Sequence, residues 1–148
     1  MNFAGDILDQ KLFTATVEKT DDLDALVIPT PFGDGDTDKL VYVKLTDMDG
    51  NVLSENFYQH CMDWEIDYPK ANITVQAIDE YTIDLTADTF AKCVFLQCGA
   101  TSRIFSDNFC SLLPGEKKII RSNEPIDMEK LTVMSVNNVK YENKGSEK

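Results

Sequence analysis

His60 is the only histidine among 148 residues, so a nucleophile–histidine–acid triad could be built in one place only. No Gly-x-Ser-x-Gly turn accompanies it, and triad hydrolysis is excluded. Twenty-six acidic side chains invite metal or glycosidic chemistry instead. Asp34, Asp36 and Asp38 have the spacing of the first three ligands of a calcium loop. The sixth position, however, is Lys39 where glycine is required, and the twelfth is Leu45 where a bidentate glutamate is required. Asp47, Asp49 and Asn51 fail in the same way, with Gly50 at the fourth position and Tyr58 at the twelfth. Both clusters read as solvated acidic loops. A retaining glycosidase holds two carboxylates about 5–5.5 Å apart, but among so many acids some pair meets that distance by chance. Cys61, Cys93, Cys98 and Cys110 lack Cys-x-x-Cys spacing, which argues against zinc. Cys93 and Cys98 lie about 16 Å apart on one extended strand, too far to pair, and the four read as small apolar core residues. Gly33-Asp34-Gly35 would repel a phosphate. Catalytic, cofactor and metal residues are accordingly assigned as none.

Trp64 could stack on a sugar ring, yet Cys61, Met62, Ile66 and Tyr68 around it favour burial between two halves of the chain. Asn72-Ile73-Thr74 fits the glycosylation triplet but opens a strand.

The surrounding elements are strands. Residues 2–6 hold Gly5 and read as a turn. Residues 11–17 alternate, with Phe13, Ala15 and Val17 on one face, and 25–28 form a short apolar run closed by Pro29 and Pro31. Residues 40–46 and 52–58 flank Asp49-Gly50, a strong hairpin signal. Periodicity stops over 60–70. Ile73, Val75 and Ala77 then alternate with polar neighbours, as do Tyr81, Ile83 and Leu85, which predicts a sheet with one wet face. Residues 93–98 are apolar nearly throughout, as in a central strand covered on both sides. Strands follow at 117–121 and 131–136, before a polar tail from 140. Short strands, many turns and no helical period predict an all-β sandwich.

Charge divides the chain. Residues 1–70 carry 15 acids and 5 bases, whereas residues 71–148 carry 11 and 9, for a total of −12. The first part would repel phosphate backbones and anionic lipid, so neither nucleic acid nor membrane is a fitting partner. No apolar run approaches the roughly 20 residues of a membrane span, and no signal peptide pattern is present.

Between the strands at 93–98 and 117–121 lies the most distinctive stretch, Ile104-Phe-Ser-Asp-Asn-Phe-Cys-Ser-Leu-Leu-Pro-Gly-Glu116. Leu113-Pro114-Gly115-Glu116 predicts a type II turn, since proline presets φ at its second position and glycine tolerates the positive φ of its third. Ser106, Asp107 and Asn108 predict a loop tied by side chain to backbone bonds, one of the last two in an Asx-type turn. Phe105, Phe109, Leu112 and Leu113 would pin it to the core. This motif resembles the last immunoglobulin-like domain of glycoside hydrolase family two enzymes of the β-mannosidase and exo-β-glucosaminidase type. The likeness extends to residues 2–8 and 45–56, similar to the family's penultimate sandwich, and to 81–85, 91–96 and 131–137, similar to its last. Phe109, Cys110 and Ser111 depart from the family's Tyr, Phe and Asp.

The resemblance implies a parent that is a retaining exo-glycosidase. Its catalytic glutamates would sit on a TIM barrel that the terminal sandwiches brace. With no barrel here, no catalytic residue carries over, and the chain alone is expected to be inactive. Residues 1–62 are assigned to the remainder of the penultimate sandwich, 63–70 to a linker, 71–140 to the C-terminal sandwich and 141–148 to a disordered tail. Expected partners are the parent's catalytic barrel, an oligosaccharide, and a second copy docking through the incomplete first unit. Rival readings are a carbohydrate-binding module and a free-standing interaction protein. The parent's compartment stays open among secreted, periplasmic and lysosomal.

Overall fold

The computed structural model describes residues 1–14, 32, 33, 36–99 and 103–139. Eight strands lie among them: β1 (Val41–Thr46), β2 (Val52–Tyr58), β3 (Ile73–Asp79), β4 (Thr82–Ala87), β5 (Ala91–Cys98), β6 (Cys110–Leu112), β7 (Lys118–Arg121) and β8 (Leu131–Met134). Single 3₁₀ turns occupy Asp63–Glu65 and Val136–Asn138. The readings for 25–28 and for the polar tail fall outside the described residues. So does the second half of the reading for 11–17; residues 11–14 form no strand.

β1 and β2 form the expected antiparallel hairpin, with Val41 opposite Tyr58 and Thr46 opposite Val52. Its loop closes on one carboxylate. Asp47 Oδ1 accepts from the backbone N–H of Asp49 (2.9 Å) and of Asn51 (2.8 Å), and its Oδ2 accepts from Asn51 Nδ2 at 2.8 Å. Gly50 supplies the positive φ, +87°, that returns the chain.

The remaining strands make an immunoglobulin-like sandwich of two antiparallel sheets, ordered β3-β4-β7 and β6-β5-β8. Ile83, Leu85 and Ile120 of one sheet and Val94, Leu96 and Leu112 of the other fill the core between them. Two expectations about faces are corrected. On the predicted wet face of β4, Asp84 is buried, and Lys117 reaches over to hold its Oδ2 at 3.0 Å. Strand β5 is central but not covered on both sides. Val94, Leu96 and Cys98 point inward, while Cys93 and Phe95 are half-buried and Gln97 is exposed, because no third layer lies outside. A bulge with Cys93 at φ +50° shifts the register between Ala91 and Val94. The last strand ends at Met134, and Ser135 stands at the start of the 3₁₀ turn that takes up Val136.

The 113–116 turn has the expected form: Glu116 N–H donates to Leu113 O at 3.2 Å and Gly115 sits at φ +74°. The loop before it holds by longer reach than its composition predicts. Asn108 Oδ1 accepts from Leu96 N–H (2.8 Å) and its Nδ2 donates to Leu96 O (3.0 Å), so that one side chain pairs with β5 as a strand residue would. Ser106 pairs with Arg121 through both its backbone and its hydroxyl. Phe109 is 64% exposed, against expectation; its φ of +61° turns it outward beside Phe95, and Cys110 takes the inward place.

Candidate functional site

The residues weighed for chemistry are dispersed, and most are engaged in holding backbone. His60 stacks on Phe32, ring centroids 5.7 Å apart. Asp36 accepts from Gly33 N–H and pairs with Lys39 at 2.8 Å. Asn72 donates its amide to Asp88 at 2.6 Å, which clamps the start of β3 to the end of β4. No disulfide joins the four cysteines, and burial pushes the Cys110 thiol upward. Among the described residues no group of three or more His, Cys, Asp or Glu side chains is placed to hold a metal ion.

What the fold does assemble is a seam between the N-terminal half and the sandwich. Its apolar part is a second cluster, Phe3, Leu40, Ile66, Phe90 and Leu113, flanked by the half-buried Tyr42, Phe57 and Tyr68. Phe90 lies within 5.9 Å of Phe3 and 5.3 Å of Phe57, centroid to centroid. The carbonyl of Phe3 accepts from Thr89 Oγ1 (2.6 Å) and Phe90 N–H (2.8 Å). Asn137, buried, reaches from the far end of the chain to donate to the Phe90 and Pro69 carbonyls and to accept from Lys92 N–H.

The polar part has two clusters. In the first, Lys92 Nζ donates to Gln59 Oε1 at 2.7 Å and pairs with Asp63, and the Tyr68 hydroxyl sits 2.8 Å from each of the same two oxygens. Burial raises the Asp63 carboxyl, but the bonds from Lys92 and Tyr68 outweigh it and hold the group below its ordinary value of 3.8. Burial, followed by Asp63, pushes the Tyr68 phenol up. In the second cluster Lys118 bridges Asp107 (2.9 Å) and Glu55 of β2 (3.5 Å). Tyr42 donates to Glu55 at 3.0 Å and is pushed up to about 12, by burial first.

Trp64 takes no part, against expectation, and is 70% exposed. The tight 3₁₀ turn aims Asp63 at Lys92 and so turns the next side chain away; Ile66 and Tyr68 face the seam instead. Sequence reading overlooked Lys92, although a single charge in the run 91–98 signals a partner that must reach it.

The seam should loosen in acid. A depressed folded pKa contributes stability above the unfolded value that is lost as pH falls through the folded one. Amide exchange in β1 and β2 should therefore rise below about pH 3.8, the ordinary aspartate value. Asp88 and Asp127 are also held low and add acid lability elsewhere. Asp47, held low by Asn51 in the hairpin's own loop, keeps part of the acid response there, so Asp63→Asn should remove only the seam's share; an unchanged acid profile of the hairpin in that variant would refute the assignment.

This geometry joins the hairpin to an immunoglobulin-like sandwich, and comparison with known proteins places that sandwich. The Ig-fold domain model of mannosidases, Ig_mannosidase, matches residues 68–139, just under half of the chain. Residues 68–139 belong to this family. The matched mannosidase Ig domain opens on Tyr68, at the seam, and ends after the 3₁₀ turn that carries Asn137. No curated protein sequence matches the chain. Among solved structures, β-D-mannosidase from Dictyoglomus thermophilum superposes on 71% of the chain with a TM-score of 0.54 at 20% identity, a likeness of fold. The chain spans 14% of that protein, in which the corresponding domain is one part of a larger glycosidase.

Proposed function

We propose that this chain is the non-catalytic, C-terminal accessory part of a β-mannosidase-like glycoside hydrolase that cleaves terminal β-glycosidic bonds of oligosaccharides. The match of residues 68–139 to the mannosidase Ig-fold domain carries this reading. Residues 71–140 act as the last sandwich and residues 1–62 as the remainder of the one before, joined through 63–70. The outward face of the hairpin, where Val43, Leu45 and Tyr58 are exposed, is the surface we assign to the parent's barrel domain, with a second copy of the chain as the competing occupant. Exposure of Trp64 favours one rival, a carbohydrate-binding module, because a free indole face can stack on a pyranose ring.

Two assays separate the readings. The purified chain should release no aglycone from an aryl β-mannoside, and mannan oligosaccharides should give no saturable heat on titration. Hydrolysis above background by a preparation free of host enzyme would overturn the accessory role. Saturable binding abolished by Trp64→Ala would establish the binding module in its place.

A further inference from the structure

A cleft of about 270 Å³ beside the end of β5 is lined by Phe95, Gln97, Cys98, Arg103, Phe105 and Asn108, together with Leu96. Among the described residues, its guanidinium has too few partners. The Arg103 side chain is 12% exposed, so most of its charge is withdrawn from water. Nη1 donates to the Cys98 carbonyl at a long 3.4 Å, and Nη2 lies 3.7 Å from Glu124 Oε2, beyond hydrogen-bond distance. Nε is buried, and no acceptor among the described residues reaches it. Arginine carries five N–H donors in a planar fork, and a desolvated fork is complementary to a carboxylate taken two oxygens at a time.

The other walls narrow the class of anion. Asn108 spends its amide on Leu96, so it leaves the anion to Arg103. Gln97 is exposed, with only a 3.3 Å bond to Gly99 O, and can turn its amide to a ligand hydroxyl. Phe95 and Phe105 give the cleft an apolar side, and Phe109 extends it at 5.0 Å from the Phe95 ring. The volume is that of a single ring with a short substituent, at the small end of ligand pockets. We propose that this cleft binds a small ring-bearing carboxylate, its two oxygens on the Arg103 fork and its ring against Phe95 and Phe105. Glu124 is the ligand's competitor for the same cation. The chain's net charge of −12 disfavours anions at long range, so affinity comes from the desolvated short-range pair and is modest.

Sodium benzoate titrated into the whole chain, followed by NMR of the Arg103 Nε–H and Gln97 side-chain resonances, tests the proposal. Saturable shifts are expected, weakened about tenfold in Arg103→Lys, which keeps charge but loses the fork, and tightened severalfold in Glu124→Gln. Sodium chloride at matched ionic strength should move neither resonance. Absence of saturation up to about 50 mM benzoate, or inorganic phosphate binding as tightly as benzoate, would overturn the site. Glu124→Gln alters an exposed residue, so its tightening remains readable even if Arg103→Lys fails to fold.

Discussion

Phe90→Ala is expected to cost roughly 3–5 kcal/mol and to lower the melting temperature by about 10 °C or more. Phe90 is 1% exposed, and it is the side chain that Phe3 of the N-terminal segment and Phe57 of the hairpin both meet. Removing the ring opens a cavity where three parts of the chain converge. The sandwich core lies in the other cluster, around Ile83, Leu85, Val94 and Ile120, and keeps its contacts. Loss should therefore be uneven. Amide protection should fall in β1, β2 and residues 1–6 well before it falls in β4 and β5. A midpoint shift below about 1 kcal/mol, with the hairpin as protected as before, would mean that the aromatic cluster does not couple the halves.

Asn108→Ala should cost about 2–6 kcal/mol, because it strips partners from both the N–H and the carbonyl of Leu96, a buried residue, at about 1–3 kcal/mol for each group left unsatisfied. Its neighbour supplies the contrast. Asp107 makes a partly exposed ion pair with Lys118, and Asp107→Ala should lie within about 1 kcal/mol of the parent. Asn108→Asp keeps the acceptor for Leu96 N–H but sets a carboxylate oxygen against the Leu96 carbonyl, so it should recover only part of the loss. Denaturant midpoints of the three variants decide the matter. Equal shifts for Asp107→Ala and Asn108→Ala would show that the loop is held as a solvated turn and that its pairing with β5 carries little.

The strands and turns of this protein were legible in its sequence because their causes are local. Pro114 fixes φ, and Gly50 and Gly115 tolerate the positive φ their turns require, wherever such residues occur, and both turns returned the chain as expected. Alternation from Ile73 to Leu85 predicted a sheet, since strand periodicity needs only neighbours. The motif at 104–116 and its companions, read together, placed the fold in the mannosidase Ig family, which residues 68–139 match.

Which side chains face inward was decided in three dimensions. Trp64 and Phe109 are as apolar as the residues that are buried, yet one sits within a tight turn and the other at positive φ, and both point to solvent. Asp84 alternates as a surface residue should, yet it is buried on the central strand β4, and its ion partner, Lys117, comes from 33 residues away. The same limit applies to the seam: Lys92 meets Gln59 and Asp63 from 33 and 29 residues away. Composition tells which groups can be buried or paired; only the meeting of distant faces settles which groups are, because burial and ion pairing depend on neighbours that local backbone preference does not supply.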